Sequence, residues 1–177
     1  MESELSRLQE RLQYSFSNGA LLQRAVTHRS FSAEHNERLE FLGDSVLGLA
    51  VSTMLFQKLK TTPEGDLSRI RANLVKQDTL HQIALRLELA KVLRLGEGEA
   101  KSGGRERPSI LADAVEAIIG AAYLDSGYTE AEGIVHHLYE RVEISQHMPA
   151  ASKDAKTALQ EWLQARKKSV PQYEVTG

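Results

Sequence analysis

The chain has 177 residues, of which 41% are hydrophobic, 26% charged and 6% aromatic, with a net charge of −2 and no cysteine. That is apolar content enough for one buried core, and the absence of cysteine excludes a disulfide framework and thiol chemistry. The first residues, MESELSRLQERLQ, are charged and lack an apolar h-region, and no run reaches the ~18 apolar residues of a membrane span. The expectation is a cytoplasmic protein with no membrane partner. Net charge alone argues against nucleic acid, but its distribution is uneven. Residues 150–177 carry +2 and the preceding 149 carry −4, so basic patches around an acidic, metal-loaded site remain compatible with the total.

In chain order, residues 3–13 read as a helix with Leu5, Leu8 and Leu12 on one face. Tyr14 to Asn18 is a break, and residues 19–27 form a second short helix with Leu21, Leu22, Ala25 and Val26 inward. Residues 28–34 are a polar loop leading to a long helix over 35–59, which stops at Thr61-Thr62-Pro63. Pro63-Glu64-Gly65 reads as a turn and Asp66 as the N-cap of a helix to about Lys76. Asp78 is expected to cap the next helix, with Leu80, Ile83, Ala84 and Leu87 as its apolar side. The glycine-rich stretch 96–108 reads as a mobile, exposed loop. A helix over 109–125 follows, and Asp125-Ser126-Gly127 closes it. Thr129 and Glu132 form a capping box for a last helix to about His147. No strand is expected to this point, so the fold class is all-α with about seven helices. Beyond a linker at 149–153, the sequence predicts one more helix at 155–167 and an extended PQYEV.

Two of these helices carry acids in an unusual setting. Glu37, Glu40 and Asp44 lie at i, i+3 and i+7, within an arc of about 60° on a helix. Leu39, Leu42, Val46, Leu49, Ala50 and Met54 are expected in the core, which leaves little polar surface for a solvated face. Leu55 and Phe41 edge the acidic stripe. It reads either as a solvated stripe or as a site that holds a cation. On the helix SILADAVEAIIGAAYLDSG, Asp113 and Glu116 are again three apart among apolar residues. Their dull reading is capture of Arg69 or Arg71. Gly120 lies below them, at a cost of ~1 kcal/mol relative to alanine in a helix interior, which argues for a close helix crossing.

Facing one another, the two helices would gather Glu40, Asp44, Asp113 and Glu116 around one point. Hard oxygen donors without His or Cys suit Mg²⁺ or Mn²⁺ and argue against zinc. The chemistry that follows is attack of metal-activated water on phosphorus, with no small-molecule cofactor. His28 and His35 read as structural and His136-His137 as surface. Arg105 and Arg107 read equally as loop charge or as phosphate contacts.

At this point the residues carry a resemblance. HNERLEFLGDSVL closely resembles the signature of the ribonuclease III family. The match continues through Thr27-His28-Arg29-Ser30, EGDLSRIRANLV, GEGEAKSGG and SILADAVEAIIGA, in order over residues ~5–145. The resemblance implies a helical endonuclease domain over 1–148, with metal held by Glu40, Asp113 and Glu116, and Asp44 completing the catalytic set. It implies that Glu37 and Glu64 line the cleavage groove. It also implies a homodimer in which Phe41 enters a socket on the partner. The implied activity is cleavage of double-stranded RNA to staggered 5′-phosphate and 3′-hydroxyl ends, in processing of structured RNA such as ribosomal RNA precursors. Residues 154–177 resemble the start of a double-stranded RNA-binding domain, which would be incomplete within this chain. The rival from another class is a non-catalytic dimer that binds structured RNA. A His-Asp phosphohydrolase would need His-Asp pairs, and the chain has none.

Overall fold

The computed structural model describes residues 2–142, and the expected linker, RNA-binding remnant and tail of the last helix lie outside them. Eight α-helices follow in order: α1 Glu4–Leu12, α2 Gly19–Ala25, α3 Glu37–Lys58, α4 Glu64–Val75, α5 Gln77–Leu87, α6 Glu97–Lys101, α7 Pro108–Ser126 and α8 Tyr128–Tyr139. Two 3₁₀ turns, Leu89–Lys91 and Gly104–Glu106, flank α6. The all-α expectation holds among the described residues. The one β-type contact there is a parallel bridge between Thr27 and Arg94.

The hub is α7, the later of the two acid-bearing helices. From Ile110 to Ala122 every residue except Asp113 is buried, and α2, α3, α5 and α8 all pack on it. Small residues make this possible. A Cβ at Gly43 would lie 1.7 Å from the Glu116 carbonyl oxygen, and one at Gly120 would lie 2.3 Å from that of Leu39. α3 and α7 therefore cross with their backbones in contact. By length and mean hydropathy α3 would pass for a membrane span, yet one side of it is packed on α7 and another carries acids.

Local polar contacts set the remaining geometry. Ser3 Oγ caps α1 by accepting from Ser6 N at 3.0 Å, and Asn18 Oδ1 caps α2 by accepting from Ala20 N at 3.1 Å. Asp125, expected only to close α7, also accepts from Tyr14 Oη at 2.6 Å and from the Ser17 and Asn18 amides. It thereby ties the α1–α2 break to the hub. Tyr139 is fully buried and donates to the Leu74 carbonyl at 2.7 Å. The carboxyl ends of α1, α5 and α8 meet in one polar cleft. Their carbonyls at Arg11, Leu87 and Leu138 face His137 Nε2 at 2.8 Å, Arg11 at 3.5 Å and Arg86 at 3.2 Å, which suits the negative ends of helices.

Several expected boundaries are corrected. α4 starts at Glu64, directly after Pro63, because Pro63 supplies the extended residue that precedes the helix; Asp66 is inside the first turn and pairs with Arg69. α5 starts at Gln77, so Asp78 is likewise in the first turn and not the cap. α8 starts at Tyr128, on Gly127 with its φ of 97°, without the Thr129–Glu132 capping box, and it ends at Tyr139. The stretch 96–108 is folded into α6 and a 3₁₀ turn and is not an open loop. Gly104 is buried against Glu99, Arg107 pairs with Glu99, and Arg105 donates to the Ala90 and Leu93 carbonyls at 3.0 and 2.7 Å. Both arginines are spent on holding the segment closed. Leu49, expected in the core, is 56% exposed, and with Phe41 and Phe56 it lines a solvent-facing side of α3.

Candidate metal centre

Glu40 and Asp44 sit one turn apart on α3, and Asp113 and Glu116 one turn apart on α7. The glycine crossing falls between the two pairs, since Gly43 meets the Glu116 backbone itself. Carboxylate oxygens of Glu40, Asp113 and Glu116 lie within 4.8 Å of one another. Asp44 joins through a side-chain hydrogen bond with Glu116, and Glu40 and Asp113 share another. The four acids read from the sequence therefore do converge.

The arginine alternative fails. Arg69 pairs with Asp66, and Arg71 donates to Ser52 Oγ at 2.9 Å. Of the α3 stripe, Glu37 and Asp44 are exposed and Glu40 is half-buried, so the solvated-stripe alternative fails for Glu40; on α7, Glu116 is only 9% exposed. The electrostatics follow. Burial, then the Asp44 hydrogen bond and the charges of Asp44, Glu40 and Asp113, push Glu116 up to about 9. Burial, then Asp113, Glu37 and Asp44, push Glu40 up to about 7. Asp113 is raised as well, chiefly by burial. Two carboxyl groups that hydrogen-bond each other must share a proton. A divalent cation would replace such protons with a charge the oxygens can bind directly. The set of hard, closely spaced oxygens without His or Cys fits Mg²⁺ or Mn²⁺.

The other sequence-predicted residues separate. Glu37 stands at the first turn of α3, half exposed and 3.7 Å from Arg29. Glu64 is not brought to the cluster within this chain. It lines a groove of about 470 Å³ between α3 and α4, with Ser52, Phe56 and Arg71 among its walls. Phe41 is 78% exposed, so it packs into no core of its own chain.

Two features escaped the sequence reading. Gly43, between Glu40 and Asp44, is as tightly placed as Gly120, and the same argument about glycine in a helix interior applied to it. His35 Nδ1 accepts from the Glu37 amide at 3.3 Å and so caps α3. Asn36 instead turns inward to donate to the Ala25 carbonyl at 2.9 Å.

A Ribonuclease-III-like family profile matches residues 18–142. A protein named Ribonuclease 3 from Delftia acidovorans is 71% identical over 173 residues, covering 98% of this chain and 76% of the relative. One of the same name from Variovorax paradoxus is 66% identical over 177 residues, covering 100% and 78%. The nuclease domain of ribonuclease III from Campylobacter jejuni superposes with a TM-score of 0.76 at 44% identity, over 79% of this chain and 96% of that one. The helical fold is thus that of ribonuclease III nuclease domains. The chain belongs to the ribonuclease III family and is an endoribonuclease acting on double-stranded RNA.

Proposed function

We propose that cleavage takes place at the carboxylate cluster, with Glu40, Asp113 and Glu116 holding Mg²⁺, for which Mn²⁺ can substitute, and Asp44 completing the catalytic set. The observation that carries this reading is the convergence of three carboxylate oxygens within 4.8 Å across a two-glycine helix crossing. A cation bound there supplies an activated water for in-line attack on phosphorus and stabilises the leaving oxygen. The chain's own residues do the positioning. Asp44 holds Glu116 by a hydrogen bond, and the rigid crossing keeps the two halves of the ligand set in register. Glu37 and Glu64 belong to the cleavage groove in this reading.

The working unit in this reading is a homodimer, which gives one site per strand and staggered ends with 5′-phosphate and 3′-hydroxyl groups. What supports it is the exposed apolar side of α3, where Phe41 is 78%, Leu49 56% and Phe56 74% accessible. A structure similar to this chain is described as showing flexibility in a region involved in dimer formation of the Campylobacter jejuni nuclease domain. Residues 1–148 form the catalytic domain, 149–153 the linker and 154–177 the beginning of an RNA-binding domain. The setting is the cytoplasm and the substrates are structured RNAs such as ribosomal RNA precursors.

An end-labelled perfect duplex incubated with and without Mg²⁺ tests the reading. Staggered products are expected only with the cation. A duplex that is bound but left uncut at high enzyme and low salt would favour a binding-only protein instead. For the dimer, Phe41→Ala should weaken association by about 2 kcal/mol per aromatic removed, seen as a shift toward monomer in sedimentation velocity. An unchanged profile would sink the socket.

A further inference from the structure

The surface turn that leads toward α3 has little freedom. It runs from His28 to Phe31 and is closed by the Phe31 amide, which donates to the His28 carbonyl at 2.9 Å. On one side, the His28 amide donates to the Arg94 carbonyl at 3.0 Å, and the Arg94 amide donates to the Val26 carbonyl at 2.8 Å. On the other, Ser30 Oγ accepts from the Gly96 amide at 2.8 Å, and a Cβ on Gly96 would fall 2.3 Å from the Ser30 carbonyl oxygen. The Arg94 guanidinium lies over the Phe31 ring, 4.5 Å from its centroid. The Asn36 amide donates to the Thr27 carbonyl at 2.9 Å, which fastens the turn to the start of α3.

Arg29 is the second residue of this turn, and its side chain stands outside the scaffold. It is 70% accessible and meets Glu37, itself 52% accessible, across 3.7 Å. So exposed an ion pair contributes about 0–1 kcal/mol, too little to be what holds the turn in shape. Glu37 stands one helical turn before Glu40 on α3, so Arg29 flanks the carboxylate cluster. Two neighbouring arginines are otherwise engaged. Arg94 stacks on Phe31 and donates to Thr27 Oγ1 at 3.3 Å, and Arg24 donates to the His35 carbonyl at 2.9 Å. The cluster itself is all carboxylate. A polyanionic duplex that approaches it meets repulsion, which a cation at its edge offsets.

We propose that Arg29 is a substrate-positioning residue, whose guanidinium releases Glu37 and grips a backbone phosphate of double-stranded RNA near the one being cut. A guanidinium takes a carboxylate or a phosphate with the same paired N–H donors. Glu37 therefore holds the side chain at the groove until a phosphate replaces it. Such a contact reads backbone and not sequence, and a fixed turn gives it a fixed register against the duplex. The proposal rests on the reading of the cluster as the place of cleavage.

The primary readout is binding of a labelled perfect RNA duplex to the full chain without divalent cation, followed from about 50 to 200 mM salt. Arg29→Gln is expected to bind about tenfold more weakly and to flatten the slope of log affinity against log salt by about 1. Its melting temperature should stay that of wild type, and in cleavage with Mg²⁺ its KM should rise more than its kcat falls. Arg29→Lys keeps the charge and is expected to restore the slope with part of the affinity. Arg7→Gln removes the same charge on α1, from a side chain paired with Glu4 at 3.1 Å, and should leave the slope alone. An equal flattening there would reduce Arg29 to general charge and overturn the proposal. A Glu37→Gln background separates the two partners. A phosphate contact keeps its loss on Arg29→Gln in that background; a cation that only neutralises Glu37 loses its effect, and that result would overturn the proposal. So would a wild-type slope in Arg29→Gln. Because binding is read without cation, cleavage at the wild-type rate by Glu116→Gln would bring down the metal-centre reading separately.

Discussion

Gly43→Ala should cost the protein more than about 4 kcal/mol, at the upper end of single substitutions, and should lower the melting temperature by about 10 °C or more, given ~2–4 °C per kcal/mol for a chain of this size. The added carbon would fall 1.7 Å from the Glu116 carbonyl oxygen. The obstacle is backbone on a buried helix, not the end of a flexible side chain, so no rotamer change relieves it and α3 must move off α7. The displaced residues are those flanking the cluster, so whatever folded protein remains should also bind Mn²⁺ poorly. Differential scanning calorimetry and a metal titration on the same sample check both. Gly48 is the control. It lies on the same helix with nothing within 4 Å of its would-be Cβ, and its alanine variant should be neutral or slightly stabilising. A Gly43→Ala variant that melts normally would mean that the helices do not cross where the structure puts them.

Glu116→Gln should reduce cleavage of duplex RNA by about a thousandfold or more, equivalent to ~4 kcal/mol of barrier, while the folded chain and its association are retained. The carboxamide keeps the shape and can donate to Asp44, but it removes a charged ligand. The same variant should show a second, opposite effect on metal-free stability. Glu116 is held up to about 9 against an ordinary value of 4.5. For a carboxyl group raised by folding, the associated stability is fully present below pH 4.5 and is lost as pH rises through about 9. Metal-free wild type should therefore lose melting temperature between pH 5 and 9 more steeply than Glu116→Gln. Parallel melting curves across that range would contradict the buried, proton-sharing geometry. Cleavage at the wild-type rate would remove Glu116 from the site altogether.

What was legible in the sequence was what periodicity carries. Acids three and seven apart on an apolar helix, and three apart on another, were sufficient to name the cluster, because helical spacing converts directly into angle. The apolar runs likewise announced helices that the structure contains. What was not legible depended on tertiary partners. Leu49 looked like core because its helix is apolar nearly all round, and nothing local distinguishes a side packed on α7 from one left outward. The segment 96–108 looked like an open loop because glycine signals freedom. Here Gly104 is the residue that lets Glu99 and Arg107 close over it. The caps expected at Asp66, Asp78 and Thr129 were displaced by a preceding proline, lysine and glycine whose backbone already had the required extended or left-side geometry. Glu64 matched a motif, but its distance from the cluster within one chain is a property of how α4 leaves α3.

The raised carboxyls would make cation loading at the proposed centre an exchange reaction. With Glu116 near 9 and Glu40 near 7, the metal-free protein at neutral pH enters the reaction already carrying protons at its ligands. A divalent ion must drive these out, because ligating oxygens have to be ionised. In the proposed reading, acidity and cation concentration are then one variable and not two: a more acid buffer acts on the cluster as a shortage of the divalent cation does.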